Sequence, residues 1–444
     1  MKVKAHLDVD LVALEAQDSI TLMLDLTAPI DEATKDRLGQ AVQIVLDRSG
    51  SMNGEPLESA KGSLLALVDR LAPQDSFGLV AFDDQALVIV PIALMSDHNL
   101  PSLRKAIRDI PSGGSTDISA GYLLGLREVS HVKAPGGATL LLISDGHANA
   151  GEQQPSFFAD VAIKAAQSSV TTATIGLGVG YDETILEAAA QGGGGAHRFA
   201  NTIDEAVGAI AAEVDDLLDK SVLNAVLRVR PLVGTQGVPE FKILQRFHTW
   251  RDGADYVVQL GDLYAGENRR VVINIDVPQI AALGLCTIAE LTLEYLNLAE
   301  RQEISVTLPV TVNVVPVDIA AGRVPNPIVR AERLILEAQS EKALATDEIK
   351  SGKAPEATNR LKSASAKLRR EASLLPATDE RTAESLASIL NEAVIIDNLA
   401  EFSEFERPEF SSKRMTESYS NTSRSKKFRN QPSEDPTHSE GEAI

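Results

Sequence analysis

The sequence is poor in cysteine, in aromatic residues and in long apolar runs. Its single cysteine, Cys286, leaves no intramolecular disulfide and no thiol cluster for zinc or an iron–sulfur centre. Aromatic residues make up 4% of the 444 residues against 44% hydrophobic, so any core must be mostly aliphatic. No apolar stretch, that around residues 138–143 included, approaches the roughly 20 residues a membrane helix needs. Positive charge is in deficit, with 42 Lys and Arg facing 63 Asp and Glu for a net charge of −21. That balance argues against nucleic acid and anionic membranes as partners. The amino-terminal stretch is interrupted by Lys4, His6, Asp8 and Asp10 and lacks the apolar centre of a secretory signal, so a cytoplasmic location is expected.

What is present is a change of pattern along the chain. Residues 1–35 hold strand-like runs with no neighbours of their own. Residues 36–221 alternate short, continuously apolar strands (AVQIVLD, SFGLVAFD, ATLLLISD, TTATIGLGV) with helical stretches, which predicts a doubly wound parallel sheet of the Rossmann kind. Residues 222–320 lose helical periodicity and carry strands separated by Gly and Pro, the pattern of an antiparallel β-sandwich. The orphan strands of 1–35 are expected to complete that sandwich, which makes the α/β domain an insertion. Residues 325–403 return to helical spacing, with breaks near Gly352 and Pro376 that predict three antiparallel helices. Residues 404–444 are polar, Ser/Thr-rich and proline-punctuated and read as a disordered tail.

The chemistry gathers at strand ends. Asp47-Arg48-Ser49-Gly50-Ser51 follows the first buried strand, where open α/β sheets bind ligands. A carboxylate with hydroxyls two and four residues on, and Gly50 for a tight turn, can aim hard oxygens at one point. The loop Gly113-Gly114-Ser115-Thr116-Asp117 can add the Thr116 hydroxyl, and strand 140–144 ends in a second carboxylate, Asp145. Such a set suits Mg²⁺, with Mn²⁺ or Ca²⁺ as alternatives.

On these residues the segment 40–221 resembles a von Willebrand factor type A (VWA) domain with a complete metal-ion-dependent adhesion site, matched in order by Asp47, Ser49, Ser51, Thr116 and Asp145. The resemblance implies that the two serines and the threonine contact the metal directly, that the aspartates act directly or through water, and that a vacant position accepts an Asp or Glu carboxylate from a partner protein. It implies an intracellular scaffold or adaptor and no catalysis. VWA proteins with an appended β-rich segment and helices are common in bacteria. The order is also similar to that of inter-alpha-trypsin-inhibitor heavy chains, but too little chain precedes the first VWA strand for their amino-terminal domain.

Two other functions compete. Some VWA proteins resemble chelatase-type partners of AAA+ ATPases; no nucleotide motif occurs here, so such an ATPase would be a separate chain. His147, two residues after Asp145, could act as general base of a metal-dependent hydrolase, although a plain loop histidine is the simpler reading. His131, His197 and His248 lack ligand spacing and read as surface or packing residues. The glycines at 192–195 lack the Lys-Ser/Thr of a phosphate loop and read as a flexible turn. Arg48 and Asn53 flank the metal loop either as determinants of partner choice or as solvated side chains. Glu213, Asp215, Asp216 and Asp219 read as a solvated helix face. Residues 411–430 carry a net charge of +5, and Thr416, Ser418, Ser420, Thr422, Ser423 and Ser425 among them fit a modification segment for a phosphate-reading partner.

Overall fold

The computed structural model describes residues 1–30, 37–232, 238–376, 378–405 and 408–422. The chain opens with β1 (Lys2–Leu7), β2 (Leu11–Ala13) and β3 (Asp18–Thr27). The α/β domain follows as β4 (Ala41–Asp47), α1 (Glu55–Arg70), β5 (Ser76–Phe82), β6 (Ala86–Leu94), α2 (Leu100–Arg108), α3 (Ile118–Val129), β7 (Ala138–Ser144), α4 (Pro155–Gln167), β8 (Val170–Leu177), α5 (Glu183–Gly192), β9 (Gly194–Ala200) and α6 (Ile203–Leu218). Its sheet runs β6-β5-β4-β7-β8-β9. Every residue of β4, β5 and β7 is buried, because helices cover both faces: α1, α2 and α6 share one core, and α3, α4 and α5 the other. One strand departs from the parallel expectation. β6 follows β5 through a short connection and pairs with it antiparallel, as a hairpin must. Strand order reverses between β4 and β7, so a crevice opens where Asp47 and Asp145 leave the sheet.

Two further sheets follow, from β10 (Lys220–Pro231), β11 (Glu240–Ile243), β12 (His248–Asp252), β13 (Asp255–Tyr264), β14 (Asn268–Val277), β15 (Gly284–Asn297) and β16 (Gln302–Val315). The amino-terminal strands are divided between them: one sheet runs β1-β3-β14-β11 and the other β12-β13-β10-β15-β16-β2, antiparallel except for the short β16–β2 pair. Leu22, Leu24 and Leu26 of β3 share one apolar core with Leu227, Leu291 and Val312 of the second sheet.

After α7 (Val317–Ala321) come α8 (Pro327–Lys350), α9 (Ala354–Ala372), α10 (Glu380–Phe405) and α11 (Pro408–Thr422). Helix α8 lies on the outer face of β3 and β14, where Val329 and Leu336 meet Met23 and Val272, so β3 is buried on both faces. The disordered-tail expectation is corrected over residues 408–422: α11 makes a fourth helix of this group, with Met415 and Thr416 fully buried. Its apolar positions are few because charged and hydroxyl side chains fill much of its contact face. Ser423 and Ser425 lie outside the described residues. No helix among the described residues is long and apolar enough to cross a membrane.

The α/β domain stands on the β-sheets through buried polar contacts. Lys220 Nζ lies 2.7 Å from Asp262 Oδ2 and donates to Thr139 Oγ1 at 3.0 Å, while Thr171 Oγ1 donates to Asp262 at 2.7 Å. Thr139 and Thr171 begin β7 and β8, so this anchor occupies the end of the sheet opposite Asp47 and Asp145.

Candidate metal site

Asp47 closes β4 with its carboxylate turned into the protein. The Ser49 amide donates to one oxygen at 2.8 Å and the Ser144 hydroxyl to the other at 2.6 Å. The chain then makes a single 3₁₀ turn, Gly50–Met52, whose backbone is tied to the second loop: Gly50 N–H donates to Gly114 O at 2.9 Å and Gly113 N–H to Arg48 O at 2.6 Å. This turn sets the Ser49 and Ser51 hydroxyls 3.1 Å apart, and Ser51 Oγ donates to Asp145 Oδ1 at 2.7 Å. Thr116 is fixed by Asn149, whose side chain accepts from the Thr116 amide at 2.8 Å. A Cβ placed on Gly146 would lie 3.0 Å from Thr116 Oγ1 and 3.4 Å from Ser51 Oγ, so these hydroxyls flank one point beside Asp145. Three loops far apart in sequence thus bring Asp47, Ser49, Ser51, Thr116 and Asp145 together.

The electrostatics match a cation-seeking cluster. Burial pushes the Asp145 carboxyl up to about 6, with the Asp47 charge adding to the effect and the Ser51 hydrogen bond opposing it. Burial also raises Asp47, despite hydrogen bonds from Ser144 and Ser49. Only neutral donors hydrogen-bond either carboxylate among the described residues. Two carboxylates and three hydroxyls, with no sulfur or imidazole among them, form a donor set that fits a hard divalent ion.

Sequence reasoning missed the residues that shape the loops. Asp83, just past β5, pairs with Arg48 at 2.7 Å, which assigns Arg48 a structural partner rather than open solvent. Burial opposes ionisation of Asp83, but the Gln85 amide and the Arg48 charge outweigh it and hold the carboxyl below its usual range. Its carbonyl also accepts from the Asp117 amide at 2.7 Å, just before α3. The signal for Asp83 was its place at a strand end, the same one that marks Asp47 and Asp145. Asn53 accepts from Ser112 at 3.3 Å.

His147 is 67% exposed and lies 3.8 Å from Asp182, beside the site but turned to solvent. His197 is buried between Thr174 and Tyr181, His248 stacks on Trp250, and His131 is exposed beside Glu128. Two expectations are corrected. Glu213 is buried and pairs with Arg198 at 3.0 Å, because α6 folds it back over β9 rather than into solvent. Gly195 is not a flexible turn: it lies within β9, where a Cβ would come within 1.9 Å of Thr172 O, so only glycine lets β9 approach β8.

Comparison with known proteins bears on the fold. The crystal structure of the ArnB paralog VWA2 from Sulfolobus acidocaldarius superposes with a TM-score of 0.63 at 15% identity, covering 95% of this chain and 98% of that one. A von Willebrand factor type A structure from Catenulispora acidiphila gives 0.69 at 14% identity, covering 90% and 96%. At such identity the likeness is one of fold. In sequence, an uncharacterized Synechocystis protein is 28% identical over 306 residues, 66% of this chain and 70% of that protein. Human inter-alpha-trypsin inhibitor heavy chain H4 is 26% identical over 164 residues, only 18% of its own length. An uncharacterized Escherichia coli protein matches over 34% of its length, so this chain spans a minor part of the last two. The von Willebrand factor type A domain model matches residues 42–213, which identifies that stretch as a VWA domain carried within a longer chain.

Proposed function

We propose that the protein is an intracellular adaptor that recognises a partner protein through a divalent cation, in the first instance Mg²⁺, held by Asp47, Ser49, Ser51, Thr116 and Asp145. The observation that carries this reading is the contact of the Ser51 hydroxyl with Asp145 at 2.7 Å, beside the Ser49 hydroxyl and next to buried Asp47. Two withdrawn carboxylates whose charges oppose one another, with only hydroxyls and amides as hydrogen-bond donors, would be stabilised by a cation between them. Because three of the five donors are neutral, a bound Mg²⁺ would remain electrophilic toward an incoming Asp or Glu carboxylate.

This chain's residues divide the work. Ser144 and the Ser49 amide orient Asp47, Asn149 fixes Thr116, and the Arg48–Asp83 pair holds the loops between them. The two sheets that share strands from both sides of the VWA domain read as one β-sandwich interrupted by it, with the buried Lys220–Asp262 anchor setting the domain on its base. VWA domains commonly mediate protein–protein interaction, which fits recognition without chemistry. A lone cysteine fits a reducing compartment. Calorimetry tests the reading: Mg²⁺ binds the wild-type chain, and Asp47→Ala abolishes that heat while the protein stays folded. Unchanged affinity in Asp47→Ala overturns the ligand assignment.

A further inference from the structure

Immediately behind the metal loop, three consecutive residues face two ways. The Asp182 amide donates to Gly146 O at 3.3 Å, and a Cβ on neighbouring Gly180 would sit 3.1 Å from Asp145 O, so this segment lies directly against the Asp145 loop. Tyr181 and Glu183, on either side of Asp182, are held instead by the carboxyl-terminal helices. Lys413 of α11 donates to Tyr181 O at 2.8 Å, lies 4.1 Å from the centre of that ring and reaches Glu183 at 3.2 Å. Ser412 donates to the same carboxylate at 3.3 Å, and Lys350 of α8 pairs with its other oxygen at 2.7 Å. One hydrogen bond in the backbone therefore separates α11 from the loop that carries Asp145.

Much of the rest of the α11 contact is polar. Glu417 accepts from the Phe199 amide on edge strand β9 at 3.2 Å, Arg414 pairs with Glu205 at 2.9 Å, Tyr419 donates to Glu187 at 2.9 Å and Ser418 accepts from Lys342 at 2.9 Å. Contacts of this kind gain much less net free energy than apolar burial, since each lost its water on docking. A helix of 15 residues has little stability of its own in water. Apart from buried Met415 and from Phe410, which packs edge-on against Phe199, α11 is thus attached largely by contacts that can be exchanged for solvent.

We propose that α11 is a detachable latch on the metal site: its docking, with Lys413 as the positioning residue, fixes segment 180–182 against the Asp145 loop, so that cation binding and helix docking strengthen one another. The inference rests on the proposed cation site and adds its control. Reciprocity follows from thermodynamic linkage, since a helix that raises affinity for the ion must itself be held more tightly when the ion is bound.

The test is hydrogen exchange of the full-length chain with and without MgCl₂, together with Mg²⁺ titrations of variants. Exchange across 408–419 is expected to slow on adding Mg²⁺ in the wild type and to stay unchanged in Asp47→Ala. Lys413→Met is expected to weaken Mg²⁺ binding about five-fold or more. As a control, Val310→Ala in the distant sheet core lowers thermal stability and leaves Mg²⁺ affinity where it was. If wild-type protein binds Mg²⁺ while α11 exchange ignores it, or Lys413→Met folds and binds as well as wild type, the latch is overturned and the cation site stands. If wild-type protein binds no Mg²⁺, both readings fall. Should Lys413→Met not fold, the exchange measurement alone decides.

Discussion

At the amino ends of β7 and β8, Asp262 is buried against Lys220, with Thr171 and the Asn224 amide completing its hydrogen bonds. At the carboxyl ends of β4 and β7, Asp47 and Asp145 are withdrawn from water with only hydroxyls and amides for company. Burial acts on all three carboxylates in the same direction. At Asp262 the Lys220 charge and its hydrogen bonds overcome burial and hold the carboxyl below its usual range; at Asp145 nothing does, and it rises to about 6. The difference separates a joint from a site. A carboxylate paired with a lysine of the fold stabilises the structure, whereas one surrounded only by neutral donors keeps its burial penalty, which is what the proposed cation site requires.

The sharpest way to break the contrast is to remove the built-in cation. Lys220→Met leaves Asp262 buried without its partner, and losses of this kind run to about 3–5 kcal/mol. Urea unfolding should show a midpoint lowered accordingly. Asp145→Asn, at the other end, removes a charge that the metal-free fold disfavours and should leave the midpoint equal or slightly raised. A Lys220→Met protein as stable as wild type would erase the distinction drawn here.

Acidification should separate the two ends by sign. The folded protein holds the Asp145 proton more tightly than the unfolded chain, whose aspartates titrate near 4. This contribution to stability is therefore fully present below about 4 and is lost as pH rises through about 6. Asp262 runs the other way, its contribution present above the ordinary value and lost as pH falls through its depressed one. Without metal, melting temperatures should include a gain between pH 6 and pH 4 that disappears in Asp145→Asn. With Mg²⁺ the increment due to the ion should shrink over the same interval, because protons and the ion compete for one carboxylate. An Asp145→Asn profile that parallels wild type would assign the titration elsewhere.

How much of this was legible in the sequence follows from the range of the interactions. Continuous apolar strands and helical stripes are local patterns, and they predicted the doubly wound α/β domain and the order of its elements; the resemblance to a VWA domain rested on Asp47, Ser49, Ser51, Thr116 and Asp145. Asp47 and Asp145 were visible because a polar residue ending a fully apolar strand stands out. Asp83 carries the same mark, but its role is to hold Arg48 and the Asp117 amide, contacts that nothing adjacent in sequence reports. The anchor was not visible, since nothing near Lys220 or Asp262 in sequence reports that they meet Thr139 and Thr171. Helix α11 was invisible for a different reason: its buried Ser411, Ser412 and Lys413 find partners far away in sequence or on the preceding helix, at Phe402, Glu183 and Tyr181, so composition alone reads as solvent-exposed tail.

Glycine offers the finest test of the site itself. From sequence the tight turn falls to Gly50, yet a Cβ there would lie no nearer than 3.6 Å to Gly114 O, an ordinary contact. The steric demand sits on Gly113, where a Cβ would come within 1.9 Å of Asp83 Oδ2 and 2.7 Å of its Cγ. Asp83 cannot swing away freely, because Arg48 and the Gln85 amide hold it. Gly113→Ala must therefore shift the loop whose amide bonds Arg48 O, at an overpacking cost of about 1–3 kcal/mol. Part of that strain should appear as roughly ten-fold weaker Mg²⁺ binding by calorimetry, since about 1.4 kcal/mol corresponds to that factor. Gly50→Ala should bind as wild type does. The reverse order of effects would mean that the metal loop is shaped by its own turn and not by Asp83 beneath it.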